Sequence, residues 1–433
     1  MAPSQPLRVA IIGAGPAGLG ALIALSKVDG VDVQVYEQAQ KLREIGAGIS
    51  VQNNGWRVLD KLDVPPIPPE SYFRNSGRKR NEHWNGRNGS YIKAQLDPEG
   101  IPDEKLHIRT HRARLQEALL KAAPQERIHL KKRLSKVDFL PTGGAKLTFE
   151  DGFTATVDLV VGADGIRSAV RRWAFPEHTI NYTGRIAYRT VFPISLVESI
   201  PDFPHKTIFW HGEDGRWIYT SPLGDGLFEI TASTLEPKEL GEAVSWGQPA
   251  EVQALRKHFT EFHPVVRAII EAVPPETLGQ YATFSGPQLE SIVRHGSVAL
   301  LGDASHPLAG AFGAGAAFAL EDAWTLAQSV SYTLENSLPL AEGLRLFDKT
   351  RSPYYGQLFS ELKSMAAAAE KGKHLPWDER VADRIEERWG NLEWIYSYDV
   401  ETAWNDTLRE EASIQQQTKT VTRDEENQLS ARL

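Results

Sequence analysis

The sequence predicts an α/β protein: a parallel sheet covered by helices, an antiparallel sheet inserted into it, and a helical C-terminal region. Three observations predict this. An apolar run at residues 9–12, a glycine-broken turn and a helical pattern lead directly into an alternating strand. Short segments rich in β-branched and aromatic residues, separated by Gly-Asp turns, fill the stretch from Tyr182 to Ser233. Beyond Pro339 helical spacing dominates.

Taken in order, Val9-Ala-Ile-Ile12 is continuously apolar, as a strand buried on both faces must be. Glycines follow, Ala17–Leu25 has helical spacing, and Gly30 stops the helix. Val31, Val33 and Val35 then alternate up to Tyr36-Glu37, which closes a β-α-β unit. Asn54 to Leu106 is rich in Pro, Arg, Asn and Gly with weak periodicity, so loops and an interrupted sheet are expected. His111–Ala123 reads as an amphipathic helix with Leu115, Leu119 and Leu120 on one side. Alternation around Asp151-Gly152 predicts a hairpin between Leu147 and Val161, ending in the buried strand Leu159-Val160-Val161. IAYRTVF, TIFWH, RWIYTSP and LFEITAS are the strands of the inserted sheet. Ala250–Val273 reads as helix, Val298–Leu301 as a buried strand, Gly315–Ser331 as helix, and Pro339 to Trp404 as further helices. The last twenty residues form a polar tail expected to fray. The expected domains are 1–180 with 285–345, the inserted sheet 181–284, and the helical region 346–433.

Lys and Arg number 48 against 56 Asp and Glu, a net charge of −8, which argues against nucleic acid or an anionic membrane as main partner. The absence of cysteine excludes disulfides, thiolate catalysis, Cys-ligated zinc and iron–sulfur clusters. No metal is expected. The most apolar stretch, Val9 to Leu25, is broken by Gly13, Gly15, Pro16, Gly18 and Gly20 and falls short of the roughly 20 residues of a membrane span. It also lacks the flanks of a signal peptide. A cytoplasmic monomer or homodimer is expected.

Gly13-Ala-Gly15-Pro-Ala17-Gly18 ends a strand and opens a helix. The first glycine permits the tight turn, the second lets backbone approach a pyrophosphate, and the third allows close packing, with the helix N-terminus facing the anion. Glu37, at the end of the second strand, can accept hydrogen bonds from ribose hydroxyls. This is a dinucleotide fingerprint, open between NAD and FAD.

Two further motifs end strands: Gly162-Ala-Asp164-Gly165-Ile-Arg167-Ser168 and Leu301-Gly302-Asp303-Ala304-Ser305-His306-Pro307. In this order and spacing the three resemble the motifs of the class A single-component FAD-dependent aromatic hydroxylases, nearest the salicylate hydroxylase-like group. The resemblance runs from about residue 8 to 404 and includes the segment Trp394 to Asp399. It implies a Rossmann-like domain holding FAD without a covalent link, NADH or NADPH as hydride donor, and O2 as co-substrate. A C4a-hydroperoxyflavin would then oxygenate a small phenolic or aromatic-acid substrate, with decarboxylation left open. The resemblance assigns Asp303 to the ribityl chain and Gly313, Ala314, Gly315 and Ala316 to the flavin N1–C2=O edge. It gives Asp164 and Arg167 to FAD and NAD(P)H pyrophosphate binding and Arg112 to the FAD phosphates. Glu44-Ile-Gly46-Ala-Gly48 would cover the adenosine and isoalloxazine. Arg112 as a surface charge and Arg167 as an ion-pair partner remain alternatives.

The chain departs from the resemblance where salicylate hydroxylases commonly carry Pro-His, since it has Gly310-Ala311. His211 and His306 are the substitutes to consider, and His306, inside its motif, reads as structural. Phe312 would line the substrate side. The inserted sheet offers Tyr188, Arg189, Trp210, His211, Arg216, Trp217 and Tyr219, of which alternation places about half on the pocket face. Tyr219 and His211 are the catalytic candidates. Arg189, Trp210, Arg216 and Phe312 are the substrate-binding candidates, with Arg189 or Arg216 the partner of any carboxylate. Two alternatives stand beside hydroxylation. One is epoxidation or oxidative rearrangement of a larger secondary metabolite. The other is a binding protein resembling the GDP-dissociation inhibitors, against which both aspartate motifs count.

Overall fold

The computed structural model describes residues 5–42, 47–141, 143–244, 247–371, 375–389 and 392–430. The strand Leu7–Ile12 lies at the centre of the parallel sheet, between Leu159–Gly162 and Val31–Tyr36, with Val298–Leu300 and Ile128–His129 outside them. Val293–Arg294 adds an antiparallel edge. The helix Pro16–Leu25 packs on the helix Gly315–Glu335, and both are buried nearly all round. That explains why neither shows a polar stripe: a helix enclosed by sheet and helices has no solvent face to keep polar.

The inserted sheet has eight strands, in the order Gln248–Pro249, Gly279–Ser285, Asn181–Pro193, Leu227–Leu235, Trp217–Gly224, Ile208–His211, Lys79–Asn85 and Tyr91–Leu96. Two strands come from the Pro- and Asn-rich stretch and lie outside the span 181–284. That stretch also holds the helix Asn53–Lys61, where a loop was expected. Only Trp56, Val58 and Leu59 mark its buried face, alongside buried Asn53 and Asn54, too few apolar positions to show a period.

Two further expectations are corrected. The helix expected over Ala250–Val273 is two short ones, Val252–Arg256 and Pro264–Glu271, the second opened by proline at its first position and capped by the His263 side chain. The tail expected to fray is helix from Val400 to Ser430. Buried Val400 and Trp404 seat its first turns, and Glu411 is gripped by Arg345 (2.5 Å) and Lys349 (2.7 Å) of the preceding long helix. No helix among the described residues is long and apolar enough to cross a membrane.

Candidate active site

A cavity of about 580 Å³ lies between the carboxyl ends of the parallel strands and one face of the eight-stranded sheet. At its nucleotide end, Gly13 takes φ +101°, and a Cβ there would stand 2.5 Å from the Ala163 carbonyl oxygen. A Cβ on Gly18 would run into the Gly13 carbonyl. These glycines let strand, turn and helix close together. Gly15, Gly313 and Gly315 differ: a Cβ on any of them meets nothing within 4 Å, and all three line the cavity. The helices beginning at Pro16 and Gly315 carry no side-chain cap, so their first N–H groups face this space. A side-chain-free glycine cradle with two uncapped helix N-termini fits the pyrophosphate and the electron-rich edge of a flavin dinucleotide. Ala17, Ala316, Gly48, Arg112 and Asp303 line the same cavity, and Ala314 caps the second helix.

Glu37 accepts the backbone N–H groups of Ala14 (2.8 Å) and Ala39 (2.7 Å), which fixes it beside the first turn. Asp164 is not on the cavity wall. Its carboxylate accepts the Ser168 hydroxyl and the N–H groups of Ala169 (2.6 Å) and Val170 (3.2 Å), so it caps the short helix Ala169–Ala174. Exposed Arg167 lies over the Phe284 ring at 4.7 Å and is likewise off the wall. Gly165, between them, does line it. Residues 43–46, most of the expected covering segment, lie outside the described residues.

Strand register decides which candidates reach the pocket. Phe209, Tyr219, Thr231 and Arg189 stand in one row across neighbouring strands; His211, Trp217, Ser233 and Ala187 form the next. All eight face the cavity. The opposite parity, Ile186, Tyr188, Ile208, Trp210, Ile218 and Ile230, packs into a separate core. Trp210 is therefore corrected: it is 1% exposed, and its indole N–H donates to Thr220 on the far face (3.1 Å). Arg216 is corrected too. It binds Asp214 (2.7 Å) and Glu261 (2.5 Å) and takes no part in the wall.

Among the residues that do face inward, the Tyr219 hydroxyl donates to Asn81 Oδ1 (3.2 Å), with the Arg109 guanidinium 5.0 Å from its ring. Burial pushes the Tyr219 phenol well above its usual range, so it stays neutral. His211 Nε2 pairs with His83 Nδ1 at 2.9 Å. Arg189 lies 5.5 Å from the Tyr281 ring, its Nε buried without an acceptor, and burial lowers its pKa against the pull of Glu229. Phe312 is buried on the wall, and its carbonyl accepts the Tyr396 hydroxyl (3.1 Å).

Two buried charge clusters had no sequence signal. Glu229 pairs with Arg109 and accepts the Gly48 N–H (2.8 Å), tying the sheet to the segment that leads into the cradle. Behind the Asp303 turn, Asp322 binds Arg351 (2.8 Å), the Tyr355 hydroxyl, His306 (3.3 Å) and the Gly302 N–H (2.8 Å). Glu321 binds Arg351 (3.1 Å) and Asn54 (2.9 Å). Burial pushes Glu321 up to about 7; burial acts the same way on Asp322, but Arg351, His306 and Tyr355 outweigh it and hold that carboxyl low. His306 is thus a structural residue.

Cradle, turn aspartate and an aromatic, basic sheet face across one cavity define a flavin-dependent oxidoreductase acting on a ring substrate. No family model matches the chain. It is 29% identical to the 6-methylsalicylate 1-monooxygenase of Aspergillus terreus, over 95% of this chain and 94% of that protein. It is 30% identical to the 3-amino-4-hydroxybenzoate 2-monooxygenase of Streptomyces cremeus, over 90% and 95%. Its fold matches the substrate complex of a salicylate hydroxylase with a TM-score of 0.75 at 24% identity, over 93% and 98%. The chain belongs to the FAD-dependent aromatic monooxygenases, in the salicylate hydroxylase-like class A group. Its cofactors are FAD and NAD(P)H. The non-catalytic alternative is set aside by this membership.

Proposed function

We propose that this enzyme hydroxylates a small phenol or hydroxylated aromatic acid, with Tyr219 and His211 facing the reacting ring. Bound FAD, reduced by NAD(P)H, supplies the activation of O2. One observation carries the reading: the row holding Tyr219 and the row holding His211 face the glycine cradle across a single cavity. Because the Tyr219 hydroxyl gives its hydrogen to Asn81, its oxygen is left to accept a hydrogen bond from the substrate hydroxyl. His211, backed by His83, can take up the phenolic proton and so make the ring electron-rich. Phe312, Phe209 and Trp217 cover the ring and exclude water. The division into 1–180 with 285–345, 181–284 and 346–433, a cytoplasmic location and a monomeric or homodimeric state complete the proposal.

The test is NAD(P)H oxidation by the holoenzyme across a panel of phenols and aromatic acids. At least one should accelerate oxidation many-fold, and with it His211→Asn should lower kcat about 100-fold at unchanged FAD content. Equal oxidation with and without every compound would refute the reading.

A further inference from the structure

We propose that Arg80 and Gln95 form a carboxylate-binding subsite at the far end of the cavity, an inference that rests on the aromatic hydroxylase reading. Arg80 is 4% exposed, yet it lines the cavity and has no hydrogen-bond acceptor among the described residues; its Nε is buried and unsatisfied. Asp97 forms a long, buried ion pair with it, Oδ1 standing 3.9 Å from Nε beyond hydrogen-bond reach, while its Oδ2 accepts the His107 N–H (3.0 Å). The guanidinium is held flat against the Tyr396 ring, 3.5 Å from its centroid. Tyr396 in turn is anchored on the Phe312 carbonyl, which places this cation next to the substrate side of the glycine turn.

The neighbouring amides make this corner rich in donors and poor in acceptors. Asn81 Oδ1 is taken by the Tyr219 hydroxyl, and Asn81 Nδ2 takes Gln95 Oε1 (3.0 Å). Gln95 is left with its NH2 group, which meets no acceptor among the described residues, and it too lines the cavity. A planar guanidinium beside a free amide NH2 suits a carboxylate, and such a pair in a buried site is poorly served by a neutral ligand. Arg189, one of the two arginines (with Arg216) that the sequence offers for a carboxylate, sits instead at the other end of the row, within electrostatic reach of Arg112 and Glu229. The carboxylate of an aromatic acid would therefore lie against Arg80, with its hydroxyl toward Tyr219.

The test titrates the FAD-loaded enzyme with matched acids and amides, salicylate against salicylamide and benzoate against benzamide, following the visible flavin spectrum. The acids should bind about 10- to 100-fold more tightly than the amides. Arg80→Gln should erase that preference by weakening the acids alone, Arg80→Lys should restore part of it, and Arg189→Gln should keep it. Arg80→Gln is checked for FAD content; should it fail to hold FAD, the acid preference of the unaltered enzyme and of Arg80→Lys decides. Equal binding of acid and amide, no binding of any probe, or loss of preference only in Arg189→Gln overturns the subsite. Those outcomes with phenol-stimulated NAD(P)H oxidation intact leave the hydroxylase reading standing, whereas absence of stimulation by every phenol removes both.

Discussion

Gly15→Val should yield a folded protein that emerges from purification without its yellow colour. Gly15 has φ −72° and ψ −175°, a backbone conformation open to valine, and its Cβ direction points into empty cavity. The apo fold therefore has nothing to resist the change, while the dinucleotide loses the close approach to the backbone at the first helix. We expect FAD affinity to fall at least about 100-fold, or about 2.7 kcal/mol, by flavin fluorescence titration, with apo thermal stability nearly unchanged. Gly18→Ala is the contrast, since its Cβ meets the Gly13 carbonyl and the apo fold itself must suffer. If Gly15→Val retains FAD at full occupancy, the pyrophosphate does not lie at this turn.

Arg351→Met should be strongly destabilising. Arg351 is completely buried and neutralises Asp322 and Glu321, with the rings of Tyr354, Tyr355 and Tyr398 about 5 Å from its guanidinium. Methionine fills part of the volume but leaves two carboxylates with no cation. The expected loss is about 3–5 kcal/mol, read from urea unfolding at neutral pH. The pH dependence has a definite sign. Asp322, held low in the fold, contributes stability that is full above the usual carboxylate range and is lost as pH falls below that range through its lowered pKa. Glu321, raised to about 7, acts oppositely: its share is present at acid pH and is lost as pH rises through 7. The deficit of Arg351→Met should therefore narrow in acid, where both carboxyls are neutral. A deficit below about 1 kcal/mol at neutral pH would show that the cluster is not the brace of the Asp303 turn.

The nucleotide half of this enzyme was legible because its chemistry is local in sequence. A turn that must bend at Gly13 and pack at Gly18 can be read from one strand–turn–helix stretch, and Asp303 follows a short buried strand in the same way. The substrate wall was legible only as a pool. Alternation showed that half of the strand residues face inward, but Trp210 and Trp217 are equally plausible until register sets the phase, and one residue of slip exchanges the faces. Arg216 misled because a basic residue at a strand start reads the same whether it faces substrate or a surface pair with Glu261. Asp164 sits in its motif as expected, yet its carboxylate serves the next helix. Arg80, Glu229 and Arg351 gave no signal at all: each acquires meaning from a partner far along the chain, and Arg80 lies in a stretch whose proline and asparagine content hid both a helix and two sheet strands.

We propose above all that the sheet row bearing Tyr219 presents an aromatic ring to a flavin seated on the glycine cradle for oxygen transfer. Turnover under isotopically labelled dioxygen, with NAD(P)H and the most stimulating aromatic compound, tests it most directly by mass spectrometry of the product. One labelled oxygen atom should appear on the ring, with none arriving from labelled water. A product carrying oxygen from water, or hydrogen peroxide formed with the aromatic compound recovered unchanged, would contradict it.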